Sequence, residues 1–130
     1  MADAKRIVYI VDDDSSIRCG FKRLMEAYGY DARVFASGRE FLAAGIPGTN
    51  SCLIIDVVMP EMDGLELQKK LVQAGCKAPI IFITALDDPA VREAAKRTNA
   101  AFFFRKPVDA DALVDAVKWA LPADSKVAIP

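Results

Sequence analysis

Short runs of apolar residues alternate along the chain with longer segments in which apolar residues recur every three or four positions. The runs cover residues 7–11, 32–35, 52–55, 80–83 and 100–104. This alternation is typical of repeated strand and helix units, which form a parallel sheet with helices on both faces. The pattern therefore predicts a doubly wound α/β domain with the first and third strands at its centre.

The segments between the runs predict helices. An apolar stripe on the first one leads to Gly29, a residue suited to the turn that ends a helix. The stripe consists of Ile17, Phe21, Leu24, Met25 and Tyr28. Further helices are predicted before Gly75, over residues 90–98 and over residues 109–121, where Pro122 ends the last one. In total we expect five helices, two on one face of the sheet and three on the other, with Trp119 partly exposed off the apolar stripe of the last.

Polar or charged residues follow four of the five runs. Asp12 and Asp13 come after the first run, Asp56 after the third, Thr84 after the fourth and Lys106 after the fifth. The carboxyl ends of parallel strands lie at one edge of the sheet, and binding sites of doubly wound domains form there. We therefore expect these side chains to converge.

The carboxylates of Asp12, Asp13 and Asp56 would repel one another unless a cation neutralised them. Mg²⁺ favours such hard oxygen ligands and keeps waters that a phosphate can replace. Beside a divalent cation, a carboxylate can attack phosphorus, while Lys106 neutralises the phosphoryl oxygens and the hydroxyl of Thr84 donates to one of them. The residues thus predict a Mg²⁺ site in which Asp56 accepts a phosphoryl group.

Each of these residues also has a simpler explanation. Asp56 could be a solvated strand end, and Lys106 and Thr84 ordinary polar residues. Asp14 or Ser15 could cap the following helix, since acids complement the positive end of the helix dipole. Capping accounts for one acid and leaves Asp12 and Asp13 unexplained, so their convergence with other strand ends favours the metal site.

The composition of the chain excludes several classes of protein and site. A chain of 130 residues forms one domain, and 17 basic against 18 acidic residues do not give the positive excess that direct nucleic-acid contact needs. The absence of His excludes His-based catalytic triads and imidazole metal sites. Three Cys without a C-x-x-C pair indicate a reducing compartment. The five-residue apolar run near the start is too short for a signal peptide or a membrane span, so we expect a cytoplasmic protein without membrane contact.

Four segments together resemble the receiver domain of bacterial response regulators, and their sequences are most similar to those of the FixJ-like group. They read YIVDDDSSIR, CLIIDVVMPEMDGLEL, PIIFITA and FFFRKP. The resemblance implies a flavodoxin-like sheet with strand order 2-1-3-4-5. It also implies a receiver domain over residues 1–121, followed by a flexible tail or the start of a linker over residues 122–130.

The resemblance implies a role for each candidate residue. Mg²⁺ would be held by Asp12, Asp13, Asp56 and the backbone carbonyl of Val58. Asp56 would be the phospho-acceptor, and Lys106 the phosphate-binding lysine that precedes a cis proline. As the switch, Thr84 would move toward the phosphoryl group and let Phe103 turn inward.

The resemblance also implies partners. The phosphoryl donor would be a histidine on a sensor kinase or a histidine phosphotransfer protein, docking near Ile17 and Arg18. The altered surface of the fourth helix, fifth strand and fifth helix would act on an output partner or domain, transcription included, or form a homodimer. Phe102 stands where the family usually has an acid, which disfavours an acid-dependent dimer and favours an apolar one.

Two other functions compete with the signalling switch, which catalyses only its own phosphorylation and dephosphorylation. A small aspartyl-phosphate phosphohydrolase would use Asp12 as its nucleophile, but the string Asp12-Asp13-Asp14-Ser15-Ser16 lacks the D-x-D-x-T/V arrangement. A nucleotide-binding domain is disfavoured because no Gly-rich phosphate loop follows the first run.

Overall fold

The computed structural model of the protein describes residues 6–85, 88–98 and 100–122. Its elements are β1 (Ile7–Val11), α1 (Ser15–Ala27), β2 (Asp31–Phe35), α2 (Gly38–Ala43), β3 (Ser51–Asp56), α3 (Gly64–Gln73), β4 (Ile80–Thr84), α4 (Pro89–Lys96), β5 (Phe102–Arg105) and α5 (Ala110–Ala120). All pairings are parallel, in the order β2-β1-β3-β4-β5. The predicted fold class and strand order are confirmed, whereas the expected tail lies outside the described residues after Pro122.

Two apolar layers cover the sheet because side chains alternate along each strand. Val8 and Ile10 of β1 face α1 and α5, where they pack with Met25 and Leu113. The opposite layer contains apolar side chains of the strands and of α2, α3 and α4: Val11, Leu53, Ile55, Phe41, Leu67, Leu71, Phe82 and Ala95. Two helices therefore lie on one face and three on the other, as expected. Every residue of β3 is buried, which agrees with its central position.

The helix ends follow local chemistry. The carboxylate of Asp14 accepts hydrogen bonds from the N–H groups of Ser16 and Ile17, so it caps α1 as the sequence indicates. Gly29 has a φ of 89°, a left-handed conformation that glycine adopts without strain and that turns the chain toward β2. Tyr28, placed on the apolar stripe by sequence, is instead 46% exposed at the C-terminal end of α1, where the ammonium of Lys118 lies over its ring.

The last helix buries Leu113, Val114, Ala116 and Val117. Trp119 is 68% exposed on the outer side of this helix. Within the described ranges no helix has the length and apolar character needed to cross a membrane.

Gly64, the first residue of α3, packs its backbone against the end of the central strand β3. Its N–H donates to the carbonyl of Val57 at 2.8 Å. A Cβ added at Gly64 would lie 2.5 Å from the carbonyl oxygen of Asp56 and 2.9 Å from the Cα of Val57. Both neighbours are backbone atoms that cannot move aside as a flexible side chain would. The helix therefore reaches the end of β3 only because residue 64 has no side chain.

We expect Gly64→Ala to lower the free energy of unfolding by about 2 kcal/mol, because the added methyl group forces α3 away from β3. Gly20→Ala is the matched control, since nothing lies within 4 Å of a Cβ added at this exposed position of α1. Alanine should stabilise that helix by about 0.5–1 kcal/mol. Urea unfolding monitored by circular dichroism measures both changes, and equal effects of the two substitutions would contradict the steric argument.

Candidate functional site

The ends of β1 and β3 bring two acidic residues to the same edge of the sheet. Val11 pairs with Ile55 in the parallel register, so Asp12 and Asp56 follow at neighbouring positions. Asp12 is fully buried, and Asp56 is 4% exposed. The next strand over, β4, ends at Thr84, whose carbonyl accepts a hydrogen bond from the N–H of Lys106 at 2.8 Å. The strand order thus gathers the residues that the sequence singles out.

Asp12, Asp13 and Asp56 form one carboxylate cluster. Each offers an oxygen that lies within 4.8 Å of the others. Asp12 and Asp56 are buried, whereas Asp13 is exposed at the rim. The arrangement places negative charge at a point that remains accessible from solvent on the Asp13 side, and the expected convergence of these three residues is confirmed.

Lys106 supplies positive charge to the cluster from the end of β5. Its Nζ lies 2.9 Å from Oδ2 of Asp12 and 3.3 Å from Oδ2 of Asp56. The contact with Asp56 is a hydrogen bond, with the ammonium donating. The peptide bond between Lys106 and Pro107 is cis, as the resemblance implies.

The hydrogen bonds leave one oxygen of the cluster without a well-directed donor. Oδ1 of Asp12 accepts from the N–H of Asp14 at 2.9 Å, and Oδ1 of Asp56 accepts from the N–H of Val58 at 3.2 Å. Among the described residues, Oδ2 of Asp12 is the one buried side-chain oxygen or nitrogen that accepts no oriented hydrogen bond. The ammonium of Lys106 lies 2.9 Å away and makes an ion pair with this oxygen.

Burial and neighbouring charges together raise the pKa values of both Asp56 and Lys106. The pKa of Asp56 is raised from 3.8 to about 6, first by burial and then by the negative charge of Asp12. Lys106 and the N–H of Val58 offset only part of that increase. Burial alone would lower the pKa of Lys106, but the contacts with Asp12 and Asp56 outweigh it and raise that pKa. Lys106 therefore stays protonated, whereas ionisation of Asp56 costs free energy in the folded protein.

A divalent cation fits this group of residues. Three carboxylates within 4.8 Å of one another are hard oxygen donors, and Lys106 balances only one of their charges. The buried Oδ2 of Asp12, with its unused lone pairs, is the kind of atom that a metal ion satisfies. These features match the ligand preference of Mg²⁺, which typically combines one or two carboxylates with waters and phosphate oxygens.

The remaining candidates lie around the cluster. Thr84 is fully buried at the end of β4, while the side chain of Val58 is half exposed just after Asp56. Phe103 of β5 faces the α4 side of the sheet, and Phe102 and Phe104 face the opposite side, as strand alternation predicts. All three phenylalanines are half buried. Thr84 and Val58 thus lie at strand ends beside the cluster, and Phe103 lies in β5 on the α4 side of the sheet.

Sequence reasoning missed two residues that shape the site. Gly64 lets α3 approach the carbonyl of Asp56, and Arg18 donates a hydrogen bond from Nη1 to the backbone carbonyl of Asp12 at 2.8 Å. Arg18 lies in α1 and Asp12 just after β1, so no single helix or strand repeat relates the two residues. No periodic signal could have revealed this contact, which depends on the turn between β1 and α1.

Comparison with known proteins gives one family over most of the chain. The family model described as response regulator receiver domain matches residues 8–118. The transcriptional regulatory protein TdiR of Thauera aromatica is 37% identical over 93% of this chain and 53% of its own length. FixJ of Azorhizobium caulinodans, also a transcriptional regulatory protein, is 35% identical over 88% of this chain and 54% of its own length.

Solved structures agree with these matches. The response regulator StyR superposes with a TM-score of 0.83 at 36% identity, covering 96% of this chain and 63% of that protein. The chain spans about half the length of the curated relatives named above. The similarity to FixJ confirms the group that the sequence motifs suggested, and the family consists of phospho-acceptor signalling modules rather than classical enzymes. With the family match over residues 8–118 and the acidic pocket at the strand ends, the chain belongs to the response regulator receiver domain family.

Proposed function

We propose that the protein is a phosphorylation-activated switch of a two-component phosphorelay in which Asp56 accepts the phosphoryl group. The observation that carries this proposal is the cluster of Asp12, Asp13, Asp56 and Lys106, gathered from three separate strand ends. A buried carboxylate next to a second carboxylate and an ammonium is unfavourable in an inert fold, because desolvation penalises each charge. Binding and transfer of a phosphoryl group would explain why the fold keeps these charged groups together.

In the transfer step, an oxygen of Asp56 attacks the phosphorus of a phosphohistidine on the partner. A new P–O bond forms as the P–N bond breaks, and the leaving imidazole of the partner takes up a proton. Lys106, whose pKa is raised, stays charged and can move its ammonium from the carboxylates to a phosphoryl oxygen. The phosphoryl donor would be a sensor histidine kinase or a histidine phosphotransfer protein, which is in line with a chain that contains no His.

Asp12, Asp13, Asp56 and the backbone carbonyl of Val58 would hold Mg²⁺. When bound, the ion would neutralise the phosphoryl oxygens during transfer. The chain's own contribution is orientation: the N–H of Val58 holds Oδ1 of Asp56, and the ammonium of Lys106 holds its Oδ2. Thr84, buried at the next strand end, would donate its hydroxyl to the newly arrived group.

The competing phosphohydrolase would use Asp12 as nucleophile. Asp12 is fully buried, its Oδ1 is held by the N–H of Asp14, and its Oδ2 lies against Lys106, so it is poorly presented to a substrate. Asp56 is slightly exposed, and its carboxylate lies within 4.8 Å of the exposed Asp13. These observations favour Asp56 as the acceptor.

The output would pass through the surface formed by α4, β5 and α5. Movement of Thr84 would open space for Phe103, which shares a face with α4. On the other face, Phe102 contacts the ring of Trp119 edge to face, with a centroid distance of 5.4 Å. A rotation of Phe103 would therefore shift its neighbour in the strand and reach the exposed Trp119.

The recipient of this change would be an output domain, a partner protein or a second copy of the chain meeting through the half-buried phenylalanines. The relatives TdiR and FixJ are transcriptional regulatory proteins about twice as long as the matched region, which supports transcription as the output process. The receiver domain itself would span residues 1–121 and act in the cytoplasm, where the free thiols of Cys19, Cys52 and Cys76 stay reduced.

Labelling tests the acceptor. With Mg²⁺ and a small radioactive phosphodonor such as acetyl phosphate, we expect about one phosphoryl group per chain, attached to Asp56. Asp56→Asn should abolish the label, whereas Asp111→Asn, a substitution of an exposed acid on α5, should leave it unchanged. Mass spectrometry of the reduced acyl phosphate locates the site. Sustained release of inorganic phosphate with label on Asp12 would instead support the phosphohydrolase.

The raised pKa of Asp56 predicts how ion-free stability depends on pH. The folded protein binds an extra proton between the unfolded pKa near 4 and the folded pKa of about 6. This contribution to stability is fully present below pH 4 and is lost as the pH rises through about 6. In EDTA at pH 7.5, Asp56→Asn should therefore be more stable than the wild type by about 1–3 kcal/mol, because the neutral amide avoids the cost of ionisation.

At pH 4.5 that difference should shrink to a fraction of its value at pH 7.5. Urea denaturation at the two pH values measures it, and saturating Mg²⁺ at pH 7.5 serves as the control because it should stabilise the wild type more than the variant. A variant that is less stable than the wild type in EDTA at pH 7.5 would contradict the role assigned to burial and to Asp12.

Trp119 is the only tryptophan of the chain, so intrinsic fluorescence reports on this one residue. Phosphorylation should change its emission, because the ring touches Phe102 in the strand that carries Phe103. Phe102→Leu should reduce this change without affecting phosphorylation, and Asp56→Asn should remove it. Unchanged emission from the fully phosphorylated wild type would show that the signal does not pass through β5 and α5.

A further inference from the structure

Arg18 holds the peptide group that joins the first two acids of the site. Its Nη1 donates to the carbonyl oxygen of Asp12 at 2.8 Å, in a half-buried contact across the turn between β1 and α1. That carbonyl belongs to the same planar peptide unit as the N–H of Asp13. The orientation of this plane sets the direction in which the Cα and the carboxylate of Asp13 leave the chain.

The other groups of Asp12 are held separately. Its N–H donates to the carbonyl of Phe35 at 3.1 Å, and its Oδ1 accepts from the N–H of Asp14. These bonds fix the strand end and the side chain of Asp12. The second closes a turn around the Asp12–Asp13 peptide, and neither contacts the carbonyl oxygen of that peptide. Asp13 is itself exposed at the rim of the cluster. Among these contacts, the Arg18 hydrogen bond is the one made to the carbonyl oxygen of the Asp12–Asp13 peptide.

We propose that Arg18 is a positioning residue for the divalent cation site, acting through the backbone of Asp12 on the carboxylate of Asp13. This inference rests on the proposed function, in which the three carboxylates hold Mg²⁺. Without the guanidinium, the peptide can rotate and the Asp13 oxygen leaves the arrangement in which it lies within 4.8 Å of the other two. The small Mg²⁺ ion requires near-ideal ligand geometry, so its affinity is sensitive to such a displacement.

Charge and positioning predict effects of opposite sign. Arg18 is a cation near a cation site, so an effect of charge alone would make Mg²⁺ bind more tightly after the arginine is removed. Loss of positioning would make Mg²⁺ bind more weakly. The sign of the change therefore separates the two roles without knowledge of their absolute sizes.

The experiment is isothermal titration of the ion-free protein with Mg²⁺ at pH 7.5 and constant ionic strength. We expect Arg18→Met to weaken binding about tenfold, the lower end of the range seen for residues that support metal ligands indirectly. Arg18→Lys, which keeps the charge and one donor, should lie between the wild type and Arg18→Met. Arg23→Met is the matched control, because Arg23 is an exposed arginine of the same helix. The Mg²⁺ affinity of this variant should equal or slightly exceed that of the wild type.

Urea unfolding in EDTA accompanies each titration and confirms that every variant is folded. The proposal is overturned if the Arg18→Met variant binds Mg²⁺ as tightly as the wild type or more tightly. It is also overturned if that variant loses stability in EDTA without any change in Mg²⁺ affinity. If Arg18→Met fails to fold, Arg18→Lys decides: weaker binding supports positioning, and unchanged binding rejects it. A wild-type protein that binds no Mg²⁺ would reject the proposed metal site itself, an outcome distinct from failure of the Arg18 inference.

Discussion

Mutual repulsion among buried carboxylates is the constraint on which the rest of this structure depends. Asp12 and Asp56 lie almost without solvent exposure, and one lysine stands between them. Water screens this repulsion weakly at such depth, so the ionised cluster is stable only with a counter-charge. Lys106 provides part of it from within the chain. A divalent ion or a phosphoryl group that draws Lys106 away changes that balance, which makes the site responsive rather than merely acidic.

The fold sets up this repulsion through its topology. A parallel sheet in the order β2-β1-β3-β4-β5 places the carboxyl ends of β1 and β3 side by side, with β4 and β5 following at the same edge. No single segment contains the site. The contact of Gly64 with the end of β3 and the bond from Arg18 to the end of β1 then tie the neighbouring helices to the same edge. Through these contacts, α1 and α3 hold the ends of β1 and β3 in place against the repulsion between the carboxylates of Asp12 and Asp56.

The sequence predicted the elements and the members of the cluster because both depend on periodic patterns. The run before Asp56 is wholly apolar, so its burial and its polar end could be recognised directly, and alternation placed Phe103 opposite Phe102 and Phe104. Sequence patterns could not predict the contacts that arise from turns. The bond between Arg18 and Asp12, the approach of Lys106 closer to Asp12 than to Asp56, and the exposure of Tyr28 depend on backbone angles that no repeat encodes.

The burial of β3 along its whole length, compared with the half-buried β5 at the edge, has a consequence for the timing of signalling. Local opening in proteins concentrates where few apolar contacts must break, so backbone amides near Asp56 should exchange with solvent far more slowly than those of the outermost strand. In the proposed switch, phosphorylation would therefore take place on the most protected strand, and the less protected edge strand would carry the change to its recipient.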